Sequence, residues 1–455
     1  MNIEEIINKI VWYVPFRKKR DLLRNELNQL VNNLIKEKNR AIAEKNKAIE
    51  EKNKIIESYK QIEEKNSTFK VINITDKKEY VKNIAIYFDA GIGDYLFLKP
   101  FFKYIRNYFK NDKLTFIGTY RIEDIFLFFD KEYIDEYICF NGKIKDNNYY
   151  KQLIDFFQNI NYDILISYYY LRSINADKTI NLINSKEKIG TYGGLLGLSK
   201  RQRVSDVNTY TKFIYPDEND KFELYRNMDF FKELLNNNNI EIDSLSIELN
   251  NDYFNSINFD FNQKYAIIFP SATDINRQWD PNNFSDVADH LYYKYNIISY
   301  IVGSEKDEEL ALKIIGDKKH IISICGKYHL HKLFFIFNKS KIVVTNDSGG
   351  YHIAMTVSNN IIVISSGGNY IRFTNYPEKY KKNKIVSTPL PEGALNKKDI
   401  EYFYNHDYLN TITSESICNL IDEKHSKYLK KDQTRPDQTR PDQTRPDQTR
   451  PDHNM

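Results

Sequence analysis

The stretch TNDSGGYHIAM joins an apolar strand to an apolar helix, and its polar residues are suited to binding an anion. A helix N-terminus presents unpaired N–H groups and a partial positive charge, which favours a group such as pyrophosphate. We expect Gly349 and Gly350 to let the backbone approach a ligand, and Ser348 and His352 to donate to phosphate oxygens. Asp347 would accept from ribose hydroxyls or backbone N–H groups. The alternative is a tight turn in which Asp347 or Ser348 only caps the helix.

A second turn of this kind occurs in FDAGIGDYLFLKP, where Gly91 and Gly93 precede Asp94 at the start of a helix. An ionised carboxylate at the mouth of a cleft could act as a general base that takes a proton from an attacking hydroxyl. The alternative is that Asp94 is the N-cap of the helix. The spacing is not that of the GxGxxG dinucleotide motif, because the third Gly is missing.

The stretch FPSATDINRQWDPNNF contributes hydroxyls and a cation. Ser271 and Thr273 could donate to a ligand, and Arg277 could clamp a phosphate. Trp279 is either a binding platform or a core anchor. A plain surface charge at Arg277 is the alternative.

Composition excludes several classes of protein. The chain has 455 residues, of which 41% are hydrophobic, so two folded domains are expected. Its 66 basic and 62 acidic residues give a net charge of +4, so a nucleic-acid partner is not indicated. Cys139, Cys325 and Cys418 lie far apart, which predicts neither a disulfide framework nor a zinc site and fits a cytoplasmic location. No apolar run is long enough to predict a membrane-spanning helix.

The alternation of short apolar runs with helical segments predicts an α/β fold with parallel sheets. Pro100 lies within one helical pattern and predicts a kink there. A polar, Asn-rich stretch around 234–263 divides two such regions, so we expect an N-terminal α/β domain at 81–255 and a C-terminal one at 262–390. A final helical segment is expected at 397–429.

The sequence patterns at the two ends of the chain predict different structures. Residues 1–19 join apolar side chains to a basic cluster and could lie on a membrane surface; the alternative is a short helix packed on this protein or a partner. Residues 20–66 contain no Gly or Pro and repeat every seven residues, which predicts a coiled-coil helix and a homo-oligomer, or a solvated single helix. The DQTRP repeats at 432–452 predict a disordered tail.

Together the three chemistry-bearing stretches resemble glycosyltransferase family 9, the heptosyltransferase family of the GT-B fold. The resemblance covers roughly residues 82–380. The first motif, Gly-Asp-x-Leu-x-x-x-Pro, and the last, Asp-Ser/Thr-Gly-x-x-His, match fully at Gly93–Pro100 and Asp347–His352. The middle motif departs in one respect, since Asp280 follows Trp279 and Pro281 comes one place late.

The resemblance implies transfer of a heptose from an ADP-activated donor to a saccharide hydroxyl, with inversion and without a metal or other cofactor. It makes Asp94 the general base and Arg277 a contact of the donor diphosphate, with Ser271 and Thr273 in the adjoining turn. It assigns the donor pocket to the last motif, whose residues are Asp347, Ser348, Gly349 and His352. The acceptor would be a lipopolysaccharide, lipooligosaccharide or capsule intermediate on the cytoplasmic side of the inner membrane, with peripheral membrane contact.

Three other functions remain open at the level of sequence. The same fold could use another nucleotide sugar or a protein acceptor. The chain could also be a non-catalytic scaffold that binds a nucleotide sugar, or a sugar-nucleotide epimerase.

The chain lacks the Asp-x-Asp motif of many metal-dependent glycosyltransferases, because no two Asp are separated by a single residue. Arg277 with a helix N-terminus would therefore have to neutralise the diphosphate.

Overall fold

The computed structural model of the protein describes residues 23–33, 36, 69–75, 79–141, 147–170, 172–193, 209–215, 221–392, 394, 409 and 411–430. The chain divides after Phe69. In the first unit, residues 23–33 and 36 are helical. The predicted surface segment at 1–19, most of the predicted coiled-coil helix at 20–66 and the repeat tail at 432–452 lie outside the described residues.

The first sheet of the second unit has seven strands within the described residues, in the order β1-β4-β3-β2-β5-β6-β7. Strands β2 to β7 pair in parallel with their neighbours. The strands are β1 (Phe69–Asn73), β2 (Asn83–Tyr87), β3 (Lys113–Thr119), β4 (Glu136–Phe140), β5 (Asn161–Ser167), β6 (Asn184–Thr191) and β7 (Lys212–Ile214).

Helices connect these strands. They are α1 (Ile92–Leu98), α2 (Phe102–Tyr108), α3 (Tyr120–Phe129), α4 (Asn147–Phe157), α5 (Ile174–Leu182) and α6 (Glu223–Leu234). The predicted break at Pro100 is confirmed, because α1 ends at Leu98 and a 3-10 turn, Lys99–Phe101, leads into α2. Proline has no N–H to donate, so it interrupts the helical hydrogen bonds at that point.

The second sheet, over the described part of the chain, has six parallel strands in the order β10-β9-β8-β11-β12-β13. The strands are β8 (Tyr265–Phe269), β9 (Ile298–Ile301), β10 (Ile321–Ser323), β11 (Ile342–Asn346), β12 (Asn360–Ile364) and β13 (Ile385–Ser387). The helices are α7 (Pro281–Tyr295), α8 (Glu308–Ile315), α9 (Leu330–Lys339), α10 (Gly349–Val357), α11 (Ser414–Leu420) and α12 (Ser426–Leu429).

Both sheets follow one topology. Leaving aside β1, each sheet begins at a central strand, adds two strands on one side and then three on the other. This is the strand order of a doubly wound Rossmann-type fold, in which ligands bind beyond the carboxyl ends of the strands where the order reverses. Those points lie between β2 and β5 in the first half and between β8 and β11 in the second. The prediction of paired parallel α/β folds is confirmed.

Apolar side chains on the second sheet serve two cores, because successive residues of a strand point to opposite faces. On β8, Tyr265 and Ile267 belong to a core that continues into the first half of the molecule, whereas Ala266 and Ile268 face a core under α7 and α8. Both faces of this parallel sheet are therefore covered. No helix among the described residues has the length and apolar character needed to cross a membrane.

The two halves also meet at a polar contact between α3 and α9. The carboxylate of Asp124 accepts hydrogen bonds from the backbone N–H of His331 at 2.8 Å and from its Nδ1 at 2.8 Å. The imidazole stacks on Phe128, with ring centroids 4.4 Å apart. Burial raises the pKa of Asp124, but the hydrogen bonds from His331 outweigh it and leave that pKa below its usual value. A carboxylate at the N-terminus of α9 also suits the dipole of that helix.

Replacing Asp124 by Ala should lower the free energy of unfolding by about 2 kcal/mol at pH 7, since it leaves the His331 donors without their acceptor. The contribution of Asp124 should be lost as the pH falls below about 4, because its pKa in the folded state lies below the usual value of 3.8. Urea denaturation across pH measures both effects. Asp155→Ala, at an exposed site on α4, is the control and should change stability by less than about 0.5 kcal/mol. Equal effects of the two variants would contradict the role of Asp124.

Candidate active site

Two strand-to-helix turns, one from each half of the molecule, meet in contact. The turn after β2 leads into α1, and the turn after β11 leads into α10. A Cβ atom placed on Gly93 would lie 2.4 Å from Cδ2 of His352, and one on Gly349 would lie 3.3 Å from the side chain of Ile92. The absence of a side chain at Gly93 is thus what allows α1 to approach α10. The first and last sequence motifs are thereby brought together.

Asp94 lies in the first turn of α1 with its carboxylate partly shielded from solvent. The structure places Gly91 at the N-cap, so the alternative that Asp94 is the N-cap is wrong. The carboxylate instead accepts the N–H of Gly91 at 3.2 Å. Burial, followed by the negative charge of Glu223, raises its pKa to about 6, against the opposing effects of the Gly91 N–H and Arg372. A carboxylate that titrates near neutrality suits a general base.

The carboxylate of Asp347 is buried at the end of β11. It accepts hydrogen bonds from Oγ of Ser365 at 2.8 Å and from Oγ1 of Thr374 at 2.6 Å. Burial raises the pKa of Asp347, while the two hydroxyls and the Arg277 guanidinium act in the opposite direction. Arg277 reaches the same turn, where its Nη1 donates to the backbone oxygen of Asp347 at 3.3 Å. The acid and the cation predicted from separate motifs therefore lie in one site.

Ser348 has a buried hydroxyl that makes no hydrogen bond in the structure, so it has a donor to offer to a bound anion. The two glycines that follow have different structural roles. Gly349 faces Ile92 of the first half, whereas a Cβ atom on Gly350 would lie 2.4 Å from the ring of Phe269. The close packing of Phe269 is therefore sufficient to explain why position 350 is glycine, without any role of Gly350 in ligand access.

His352 is buried in the contact between the two turns. Its Nδ1 forms a hydrogen bond with the hydroxyl of Tyr376 at 2.7 Å, and its ring meets Phe97 edge-on at 5.3 Å. Burial, and then the charge of Arg277, lowers the pKa of His352 to about 3. The imidazole is therefore neutral at physiological pH. Its predicted donation to a phosphate stays a prediction, while its packing against Gly93 is part of the fold.

The middle motif contains a residue that stabilises the fold as well as candidate ligand-binding residues. Trp279 is a core anchor, with its ring buried and its Nε1 donating to the backbone oxygen of Ile412 at 2.7 Å. Ser271 Oγ donates to the carboxylate of Asp307, and Thr273 is exposed. The structure therefore gives Ser271 a partner within the protein. Whether these two hydroxyls contact a donor stays a prediction.

The departure of the middle motif from the family pattern has a local explanation. The Asp280 side chain accepts the N–H of Asn282 at 2.7 Å and is the N-cap of α7, with Pro281 at the first helical position. Asp is among the preferred N-cap residues, and Pro is favoured directly after it. Helix α7 therefore begins at Pro281.

Asn346 is a site residue that sequence reasoning missed. Its Nδ2 donates to the backbone oxygen of Pro270 at 2.6 Å, and its Oδ1 accepts the N–H of Trp279 at 3.2 Å. It thus ties the turn after β8 to the turn after β11 and places Arg277 near Asp347. Its position directly before Asp347, at the end of an apolar strand, was the available signal.

Glu223 and Arg372 were also missed. Nε and Nη2 of Arg372 donate to Oε2 of Glu223 at 3.0 and 2.7 Å. Glu223 begins α6 in the first half, and Arg372 follows β12 in the second. No sequence pattern connects two residues so far apart along the chain.

Comparison with known proteins identifies this arrangement. The sequence model of glycosyltransferase family 9, described as heptosyltransferase, matches residues 195–398, which include Arg277 and the turn at Asp347. Residues 195–398 belong to glycosyltransferase family 9. The predicted resemblance is confirmed over this part of the chain, and the match supports a glycosyltransferase. No curated protein sequence matches the chain.

Solved structures of family 9 glycosyltransferases have the same fold. A family 9 glycosyltransferase from Veillonella parvula is 15% identical, with a TM-score of 0.57 over 78% of this chain and 99% of its own. E. coli heptosyltransferase WaaC with ADP is 14% identical, with a TM-score of 0.55 over 75% and 99%. E. coli ADP-heptose LPS heptosyltransferase II is 12% identical, with a TM-score of 0.53 over 76% and 98%. At these identities the likeness concerns the fold.

Gly93→Ala should destabilise the protein by about 1–3 kcal/mol, because the new methyl group would overlap the imidazole of His352. Gly91→Ala is a matched control in the same turn. Its methyl group would meet only an ordinary contact at 3.4 Å, and the φ of Gly91 is −85°. Urea denaturation should give a clearly larger loss for Gly93→Ala. Equal losses would contradict the close approach of α1 to α10.

Asp94→Asn should stabilise the protein at pH 7.5. The pKa of Asp94 is raised from 3.8 to about 6 in the folded protein, so its ionisation increasingly disfavours folding as the pH rises between those values. The effect reaches at most about 3 kcal/mol above pH 6 and vanishes below about pH 4. Asn keeps an oxygen for the Gly91 N–H. Unfolding measured at pH 4 and 7.5 tests this expectation, and an Asn variant that is less stable at pH 7.5 would contradict it.

Proposed function

We propose that the protein is an inverting heptosyltransferase that moves a heptose from ADP-heptose to a hydroxyl of a lipopolysaccharide, lipooligosaccharide or capsule saccharide. The observation that carries this proposal is the contact between the Asp94 turn and the Asp347 turn. It brings a carboxylate with a pKa of about 6 close to a turn that Arg277 contacts. The two halves would thus supply a base for an acceptor and a cation for a leaving diphosphate.

The chemical step assigned to this site is a single displacement. Asp94 accepts the proton of the acceptor hydroxyl while that oxygen attacks the anomeric carbon of the heptose. The bond from that carbon to the diphosphate oxygen breaks, and its electron pair leaves with ADP. Attack opposite the leaving group inverts the anomeric configuration. The rate of transfer should therefore depend on pH through the ionisation of Asp94.

Three groups of the second half are suited to the departing diphosphate. Arg277 supplies a positive charge, the N-terminus of α10 supplies partial positive charge, and the unpartnered Ser348 hydroxyl can donate a hydrogen bond. We infer that these groups take the role that a metal ion has in other glycosyltransferases, so that transfer needs no metal or other cofactor.

The proposed donor follows from the structural relatives. WaaC has been solved with ADP and with ADP-2-deoxy-2-fluoro heptose, and this chain has the same fold. The acceptor would then be a saccharide or glycolipid on the cytoplasmic side of the inner membrane, with peripheral contact through residues 1–19. A homo-oligomer built through residues 20–66 belongs to the same proposal.

The donor can be identified by a thermal-shift series on the full-length chain with ADP, UDP, GDP and CDP at equal concentration. A ligand present at about 100 times its dissociation constant should add about 2.7 kcal/mol of stability. A shift with ADP alone, reduced in Arg277→Ala, would support the ADP-linked donor. A shift with UDP or GDP would keep the glycosyltransferase and reject the heptose donor. No shift with any nucleotide would favour a non-catalytic scaffold.

Asp94→Asn should reduce transfer from ADP-heptose by about 10²–10⁴-fold, since Asn cannot accept the proton. The measurement is release of ADP together with formation of glycosylated acceptor, in buffer with and without a chelator. Unchanged transfer by this variant would reject Asp94 as the base. A changed donor sugar in the absence of any acceptor would indicate an epimerase instead. Loss of transfer in chelator alone would reject metal independence.

A further inference from the structure

We propose that Glu223 and Arg372, which pair across the two halves of the molecule, are positioning residues that act on Asp94. The inference rests on the proposed function, because it takes Asp94 as the base of the transfer. Neither residue belongs to the three motifs that carry the family resemblance.

The pair is well buried and closely bonded. Both donor atoms of Arg372 lie within 3.0 Å of one carboxylate oxygen of Glu223, and the side chains are 15% and 8% exposed. Nε of Arg226 lies 3.8 Å from the same oxygen. The guanidinium groups of Arg226 and Arg372 lie 3.8 and 5.6 Å from the ring centre of Tyr170. A buried carboxylate needs such partners, so loss of one partner leaves a charge that acts on its neighbours.

Helix α6 brings Glu223 to the side of α1. Phe222, directly before Glu223, packs against Phe97 of α1 with ring centroids 5.0 Å apart. Nδ2 of Asn227 donates to the backbone oxygen of Phe97 at 3.3 Å. The N-terminal turn of α6 is therefore fixed against the helix that carries Asp94. Glu223 acts to raise the pKa of Asp94, and Arg372 acts to lower it.

The segment 370–376 connects the pair to the donor side of the site. Thr374 donates to the carboxylate of Asp347 at 2.6 Å, and Tyr376 forms a hydrogen bond with His352 at 2.7 Å. Phe373 stacks on Phe97 of α1, with ring centroids 5.9 Å apart. One short segment thus contacts the donor turn, the base helix and, through Arg372, Glu223. A shift of the donor turn would move Arg372 and with it the charge near Asp94.

Three titratable side chains near Asp94 in the described part of the chain stay neutral near neutral pH. Burial raises the pKa values of Tyr168 and Tyr169 well above their usual value, so both hydroxyls stay neutral. His352 is neutral because burial lowers its pKa to about 3. The Arg226 guanidinium lies beside Glu223. Glu223 and Arg372 are therefore the charges whose removal should alter the ionisation of Asp94 in opposite directions.

The test compares the pH dependence of kcat/KM for wild type, Glu223→Gln and Arg372→Met. Glu223→Gln removes a negative charge near Asp94, so the acid limb should move to lower pH by about one unit. Arg372→Met removes the positive charge and leaves Glu223 less compensated, so the acid limb should move to higher pH by a similar amount. Arg372→Lys keeps the charge and should return the limb toward its wild-type position.

Asp124→Asn is the matched control, because it weakens another contact between the halves without changing Glu223 or Arg372. Its acid limb should coincide with that of wild type even if its stability falls. If Glu223→Gln and Arg372→Met also keep the wild-type limb, the pair has only a structural role and the inference fails. If Arg372→Met abolishes the thermal shift caused by ADP, Arg372 is a donor ligand and the inference is likewise overturned.

A second measurement needs no substrate and separates this inference from the proposed function. The difference in unfolding free energy between Asp94→Asn and its parent should grow as pH rises toward the pKa of Asp94. In the Glu223→Gln background this growth should level off at lower pH and at a smaller difference, because the folded-state pKa of Asp94 is lower there while its unfolded-state pKa is unchanged. An unchanged plateau would reject the inference whatever the enzyme's substrate. A reduced plateau in a protein that transfers no heptose would reject the proposed function alone.

Discussion

The contact between Gly93 and the imidazole of His352 is the constraint on which the arrangement of the site depends. It lets the first turn of α1 lie directly against the first turns of α10, so that groups that follow strands of two separate sheets lie close together. Each turn occupies the point where its sheet reverses strand order, which is where such folds bind ligands. The apolar core that runs from the first sheet to the inner face of the second holds these turns in place. A larger residue at Gly93 would separate the two sets of groups that the chemistry requires together.

Burial at this contact sets the protonation states of the site. Asp94 and His352 are both shielded from water, which disfavours their charged forms. For Asp94 the outcome is a pKa near neutrality, and for His352 it is a neutral imidazole. Asp347 experiences the same effect, but two hydroxyl donors and Arg277 support its carboxylate. The site therefore combines a carboxylate that can exchange a proton with one that is held in place by hydrogen bonds.

Sequence patterns predicted much of the fold and part of the site. Strands such as β8 and β11 are short apolar runs that end at turn residues, and these are features that local pattern detects well. The break at Pro100 was also predicted from local sequence, because proline cannot continue the helical hydrogen bonds. The N-cap alternative for Asp94 was wrong because Gly91, three residues earlier, is the cap and Asp94 bonds back to it. The sequence did not decide whether Trp279 is a binding platform or a core anchor, because only its burial in the folded protein distinguishes these two roles.

The sequence by itself determined which chemical groups are present and the strand–turn–helix context of each one. Asp94, Arg277 and Asp347 could be singled out because each lies in or shortly after the segment that follows an apolar strand, which is a property of neighbouring residues. Only the tertiary structure decided which groups meet and how they are charged. The pairing of Glu223 with Arg372 joins residues from different sheets, and the pKa of Asp94 depends on that pair and on burial. Solvent exclusion and Coulomb interactions act between residues that are close in space, so no local spacing along the chain encodes them.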